Sequence, residues 1–218
     1  MAQASSNPSA PSGAASVHKM SSVAGGGVGG KVEPPPPLSR LFRPVDWLAF
    51  VLVSIIVMAG YLLTIAPDMT LEDSGELAVA SMYAGVPHPP GYPIWTVYTW
   101  LFTKILPFSN IAWRVAVSSA FAAAMSAGMV AMLVSRGSAL ILDSVDLLKD
   151  RDVTLDKWIS LVTGFVSGML LGFNGYIWSQ AVIVEVYTIA VWSLMGVLFC
   201  LKKYTWFPHQ RRHLYIAC

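Results

Sequence analysis

The sequence predicts an all-α polytopic membrane protein, and three observations carry that reading. The chain is 55% hydrophobic and 12% charged, against roughly 25% charged residues in an average soluble domain. Its apolar residues gather into long runs, and its basic residues fall in short clusters beside those runs, which is how membrane topology is encoded. A net charge of +2 leaves no electrostatic footprint for nucleic acid. The two cysteines, Cys200 inside an apolar run and Cys218 at the last position, give no disulfide framework and no metal-ligand spacing. No metal is expected.

Residues 1–45 are of a different composition, rich in Ser, Ala and Gly, with a short polyproline stretch at Pro34 to Pro37. They read as a disordered low-complexity tail. The first apolar segment begins too late and is too long for a cleavable signal peptide. Residues 46–218 then form the membrane domain.

The first span is Asp46 to Ala66, uncharged after its first residue and long enough for a bilayer core of roughly 30 Å. Arg40 and Arg43 precede it, so its N-terminus is expected in the cytoplasm. Four more apolar stretches follow, at about 92–108, 113–135, 158–173 and 177–201. If all four spanned, the basic groups Arg136, Lys149, Arg151 and Lys157, and then Lys202, Lys203, Arg211 and Arg212, would fall outside. The first of the four carries Lys104 and is dense in Tyr92, Trp95, Tyr98 and Trp100, a composition that suits the membrane interface. With that stretch lying on the outer surface as a helix over about 92–106, every basic loop returns to the cytoplasm. The expected spans are then 46–66, 113–135, 158–173 and 178–201.

The loop after the first span, PDMTLEDSGELAVASMYAGVPHPPGYP over 67–93, faces outward and holds Asp68, Glu72, Asp73 and Glu76. Thr70 to Asp73 fits a capping box, which predicts an interfacial helix over about 71–84 that stops at Gly85. On the plain structural reading these acids only favour the helix dipole. Asp73 and Glu76, however, are three apart and share a face, and they lie close to the membrane exit. His88 sits in a turn stiffened by Pro87, Pro89 and Pro90; it is a polar turn residue, a phosphate or sugar contact, or a proton-transfer group. Glu185 lies inside the last expected span, and a carboxylate at such depth is a functional candidate or a buried partner for a basic group. Gln180 and Tyr187 add polar groups around it. Arg114, at the outer start of the second span, binds phosphate or snorkels into the headgroups. The sequence has no G-x-S-x-G, phosphate-loop, H-E-x-x-H or C-x-x-C motif.

Four motifs carry a resemblance: DSGEL at 73–77, GVPHPPGYP at 85–93, LPFSNIAWRV at 106–115 and WSQAVIVEVYT at 178–188. Over about 46–201 the chain resembles the GT-C-type membrane glycosyltransferase family catalogued as domain of unknown function 2723. That family includes the plexin-receptor protein O-mannosyltransferases. The resemblance implies the N-terminal part of a GT-C helical domain with interfacial helices in the first outer loop. It implies transfer of a sugar, mannose for preference, from a polyprenyl- or dolichyl-phosphate donor to a protein hydroxyl, with inversion and with no cofactor besides that donor. Asp73 would be the general base and Glu76 its support. His88 and Arg114 would stabilise the leaving phosphate, and Gln180, Glu185 and Tyr187 would line the cavity. Further spans are expected beyond Cys218. The alternatives are a transporter that uses Glu185 as a coupling carboxylate and a non-catalytic membrane scaffold. The tail carries no recognisable sorting signal, which favours a bacterial inner membrane over the endoplasmic reticulum, with the loop at 67–93 periplasmic or lumenal.

Overall fold

The computed structural model describes residues 40–70, 73–145 and 151–217; Glu72, Lys149, Cys218 and nearly all of the expected tail lie outside them. Among the described residues the chain forms eight helices and no strand: α1 (Pro44–Thr64), α2 (Ser74–Tyr83), α3 (Pro93–Ile105), α4 (Ile111–Asp143), α5 (Val153–Gly172), α6 (Gly175–Ala181), α7 (Tyr187–Trp206) and α8 (Arg212–Ala217). The all-α fold is as expected. The packed unit starts earlier than the expected boundary at residue 46, because Leu41 and Phe42 are buried and Phe42 stacks on Phe199.

The helix α4 is the hub. Ala120, Ala123, Ala124, Ala127 and Ala131 form one core with Val53, Val57 and Tyr61 of α1. Small residues let helix backbones approach closely. The same device runs along α5 at Gly164, Gly168 and Gly172. A methyl group at Gly168 would lie 2.8 Å from the Ala127 carbonyl oxygen, and one at Gly164 would lie 2.6 Å from that of Ala131.

A polar knot fixes α1, α4 and α5 at one end. Pro44 opens α1, where a missing N–H costs nothing. The fully buried Asp46 accepts from the Arg43 backbone N–H at 2.8 Å and from Ser135 Oγ at 2.6 Å. Arg43 reaches on to Asp156 at 2.6 Å and Ser160 at 2.8 Å. Arg151 pairs with both Asp156 and Asp143.

By length and apolarity α1 and α4 are candidate membrane spans, and α5 with α6 makes a third if the pair, bent by 63°, crosses as one. The expected stretch 178–201 is not one helix. It breaks between Ala181 and Tyr187, and α7 is not among the candidate spans. The reason lies in other elements, which satisfy the unwound backbone. The Ala66 N–H donates to the Val182 carbonyl at 2.8 Å. The Glu185 carbonyl accepts from Trp95 Nε1 at 3.2 Å and from Ser119 Oγ at 3.1 Å. Irregular backbone of this kind is tolerated in membrane domains where protein or a cavity surrounds it.

Both helices expected in the first outer loop are present as α2 and α3. Two details differ. The N-cap of α2 is Asp73 rather than Thr70, whose hydroxyl instead lies 2.7 Å from Ser74 Oγ. At the other end Ala84 takes the left-handed conformation (φ 50°, ψ 38°), while the Gly85 N–H bonds the Ala80 carbonyl at 2.8 Å. Trp95, read as an interface aromatic, is buried against Leu77, Val115 and Val184.

Candidate active site

Asp73 stands at the N-cap of α2, where the chain turns into the helix, and its side chain is 62% exposed. One turn on, Glu76 reaches across to the proline-rich turn. Its Oε1 accepts the His88 backbone N–H at 2.6 Å, and its Oε2 lies 3.1 Å from His88 Nδ1. The other ring nitrogen, Nε2, lies 3.9 Å from Asp73 Oδ2. The imidazole is therefore held between two carboxylates. Its hydrogen bond with Glu76, helped by the charges of Glu76 and Asp73, raises the His88 pKa above the ordinary histidine value. The same hydrogen bond holds Glu76 below the usual carboxylate range.

The turn is built to present this ring. The Gly91 N–H donates to the His88 carbonyl at 3.0 Å, and Gly91 has φ +89°, which glycine adopts without strain. Tyr92 then sets its ring edge-on to His88, with centroids 5.9 Å apart, and Pro93 starts α3.

The break before α7 supplies the opposite wall. Glu185 is 6% exposed, and its Oε2 accepts the Val186 N–H at 3.1 Å. Trp95, expected only as an interface aromatic, and Ser119 fix its backbone.

Between these walls lies a cavity of about 370 Å³ lined by Asp73, Leu77, His88, Tyr92, Glu185, Val186 and Tyr187. Four of the expected site residues, Asp73, His88, Glu185 and Tyr187, meet in it. Glu76 does not line it and touches its contents only through His88. Gln180 lies on α6 outside this cavity, with Oε1 buried and unpartnered among the described residues. Arg114 does not line the cavity: it donates to the carbonyls of Thr103, Phe108 and Ser109 at 3.0, 3.1 and 2.9 Å. A larger concavity, about 720 Å³, opens between the N-terminal ends of α1 and α5. Its walls are mostly apolar, and its one carboxylate, Asp156, is paired with Arg43 and Arg151. Besides that paired carboxylate, its ionisable lining groups are Arg43 and Lys157.

Asp73, Glu76 and His88 each offer one donor atom within 4.8 Å of the others. The hydrogen bonds of Glu76 to His88 already occupy that carboxylate, and the group is open to water. The arrangement suits proton transfer, with one carboxylate facing the cavity and a histidine beside it, as acid–base chemistry requires.

The sequence model described as the protein O-mannosyl-transferase TMEM260 N-terminal domain matches residues 73–217. The chain is 36% identical over 80 residues to the mouse protein O-mannosyl-transferase TMEM260, covering 37% of this chain and 11% of that protein. It is 32% identical over 146 residues to the Dictyostelium discoideum protein O-mannosyl-transferase tmem260, covering 64% of this chain and 15% of that protein. The chain thus spans only a small part of the length of the curated relatives it matches. Both relatives are eukaryotic, which gives no support to the bacterial inner membrane favoured from the tail. No solved structure matches.

Proposed function

Because this chain belongs to the protein O-mannosyl-transferase TMEM260 N-terminal domain family, we propose that it carries the base side of a membrane O-mannosyltransferase site facing the lumen of the endoplasmic reticulum. The donor is a mannose linked to polyprenyl or dolichyl phosphate, and the acceptor is a protein hydroxyl. One observation carries the reading. The cavity joins the start of α2 and the nearby proline-rich turn to the break before α7, about a hundred residues further along the chain, and each brings an ionisable side chain to it.

The chemistry follows from those groups. The Asp73 carboxylate takes the proton of the acceptor hydroxyl as its oxygen attacks the anomeric carbon. The bond from that carbon to the phosphate oxygen breaks, the lipid phosphate leaves with the electron pair, and the anomeric centre inverts. Glu185 and Tyr187 line the wall opposite Asp73 and offer hydrogen-bonding groups to the sugar hydroxyls. Glu185 gains precision from its clamped backbone, as a positioned site group should. Among the described residues no lysine or arginine lines the cavity.

The test is an assay with the full-length protein, labelled lipid-phosphate mannose and an acceptor polypeptide in one membrane preparation. The reading requires label on the polypeptide. Label crossing the membrane without product supports the transporter instead, and neither result supports the scaffold.

A further inference from the structure

The sequence left His88 with two chemical tasks, contact with a phosphate or sugar and transfer of a proton. We propose that Glu76, His88 and Asp73 form a proton exit from the cavity, with His88 Nε2 taking from Asp73 the proton that came from the acceptor hydroxyl. This rests on the reading of Asp73 as the base.

Three geometric facts support it. Glu76 uses both oxygens on His88, one on the backbone N–H and one on Nδ1, so the ring cannot rotate without breaking a hydrogen bond. In the neutral ring, that anchoring to the Glu76 carboxylate places the hydrogen on Nδ1 and the lone pair on Nε2, 3.9 Å from Asp73 Oδ2. The gap closes with a small side-chain movement or one water. His88 also has a way out, since its side chain is 38% exposed and solvent can remove the proton once it arrives. The groups facing His88 are Asp73 and Glu76 from α2, Tyr92 from the turn, and Glu185 and Tyr187 from the segment leading into α7. Of these, Glu76 through its hydrogen bond and charge, and Asp73 through its charge, favour the imidazolium, so the ring is neutral and able to accept a proton above its raised pKa.

The proton is conserved along this path. It leaves the acceptor oxygen for the Asp73 carboxylate, passes to Nε2 and is released to water. Asp73 ends as a carboxylate, ready for the next turnover. Glu76 is a positioning residue here: it touches no substrate, and its charge stabilises the imidazolium formed in the second step. A ring that contacts phosphate would need its charge from the start, whereas a ring that accepts a proton must begin neutral.

The two tasks therefore predict opposite pH dependence. In the proton exit, transfer by the full-length protein rises with pH through the pKa of His88, which lies above the ordinary histidine value. Glu76→Gln keeps an acceptor for the backbone N–H but removes the charge that raises this pKa. The rising limb should then move to lower pH, and kcat should fall by about 10-fold, less than the 10²–10⁴-fold typical of losing the base itself. His88→Ala should lose the limb altogether and regain rate with added imidazole. Activity that falls as pH rises through this range overturns the proposal in favour of phosphate contact. An unmoved limb in Glu76→Gln, with the variant folded and its rate reduced, reduces Glu76 to a structural role and also overturns it. Asp73→Asn separates the two levels. If it abolishes transfer while Glu76→Gln leaves the limb unmoved, only the proton exit fails. If Asp73→Asn transfers normally, the reading of Asp73 as the base fails first.

Discussion

Arg114 closes three backbone carbonyls at the end of α3 and in the following loop, at 2.9–3.1 Å. Carbonyls at a helix C-terminus have no partner within the helix, and a cation there also meets the negative end of the dipole. This task is invisible in the sequence, where an arginine beside a membrane span reads equally well as a phosphate ligand. The prediction at this scale is that Arg114→Gln lowers the stability of the purified protein by about 1–3 kcal/mol, seen as a lower unfolding midpoint in detergent. The KM for the lipid-linked donor should stay unchanged in the folded fraction. Asp73, Glu76 and His88 differ from Arg114 in legibility. The three-residue spacing of the acids and the stiffness of the proline-rich turn were readable, but their joining through two hydrogen bonds was not. That contact connects residues twelve apart, and its geometry depends on how Gly91 and Tyr92 turn the chain.

Among the elements, α1 and the apolar part of α4 follow directly from composition, as do the two helices of the outer loop. The break between α6 and α7 does not. Residues 178–201 are apolar throughout most of their length, and apolarity records burial but not whether the backbone has helical partners. Here Ala66, Trp95 and Ser119 supply those partners from elsewhere, and the chain unwinds at Glu185 as a consequence. The packing of α5 had a readable signal that the sequence reading passed over: Gly164, Gly168 and Gly172 recur every four residues, the spacing of close helix contacts. With the Ala127 carbonyl 2.8 Å from any methyl placed at Gly168, Gly168→Val should force α5 away from α4. Overpacking of this kind costs about 1–3 kcal/mol. The expected result is a lower midpoint for Gly168→Val than for a lipid-facing control such as Leu170→Val, since Leu170 is exposed. Equal midpoints would mean that α5 does not pack on α4 through its glycines.

Across the whole molecule, the polar knot at one end and the cavity at the other divide the work. Asp46, Arg43, Asp156 and Ser160 pin the bundle where α1 and α5 begin. Breaking a buried ion pair by removing one partner leaves an uncompensated buried charge, which is strongly destabilising. The cavity sits where α2, the proline-rich turn and the unwound segment converge. The larger concavity is mostly apolar and its one carboxylate is ion-paired, while the smaller one holds Asp73, His88 and Glu185. That division makes the account depend on one group. Single-turnover transfer of mannose by the full-length protein carrying Asp73→Asn is the most direct measurement. The expected result is normal folding and donor binding with the transfer step slowed by about 10²–10⁴-fold. A rate within a few-fold of the unsubstituted protein would contradict it.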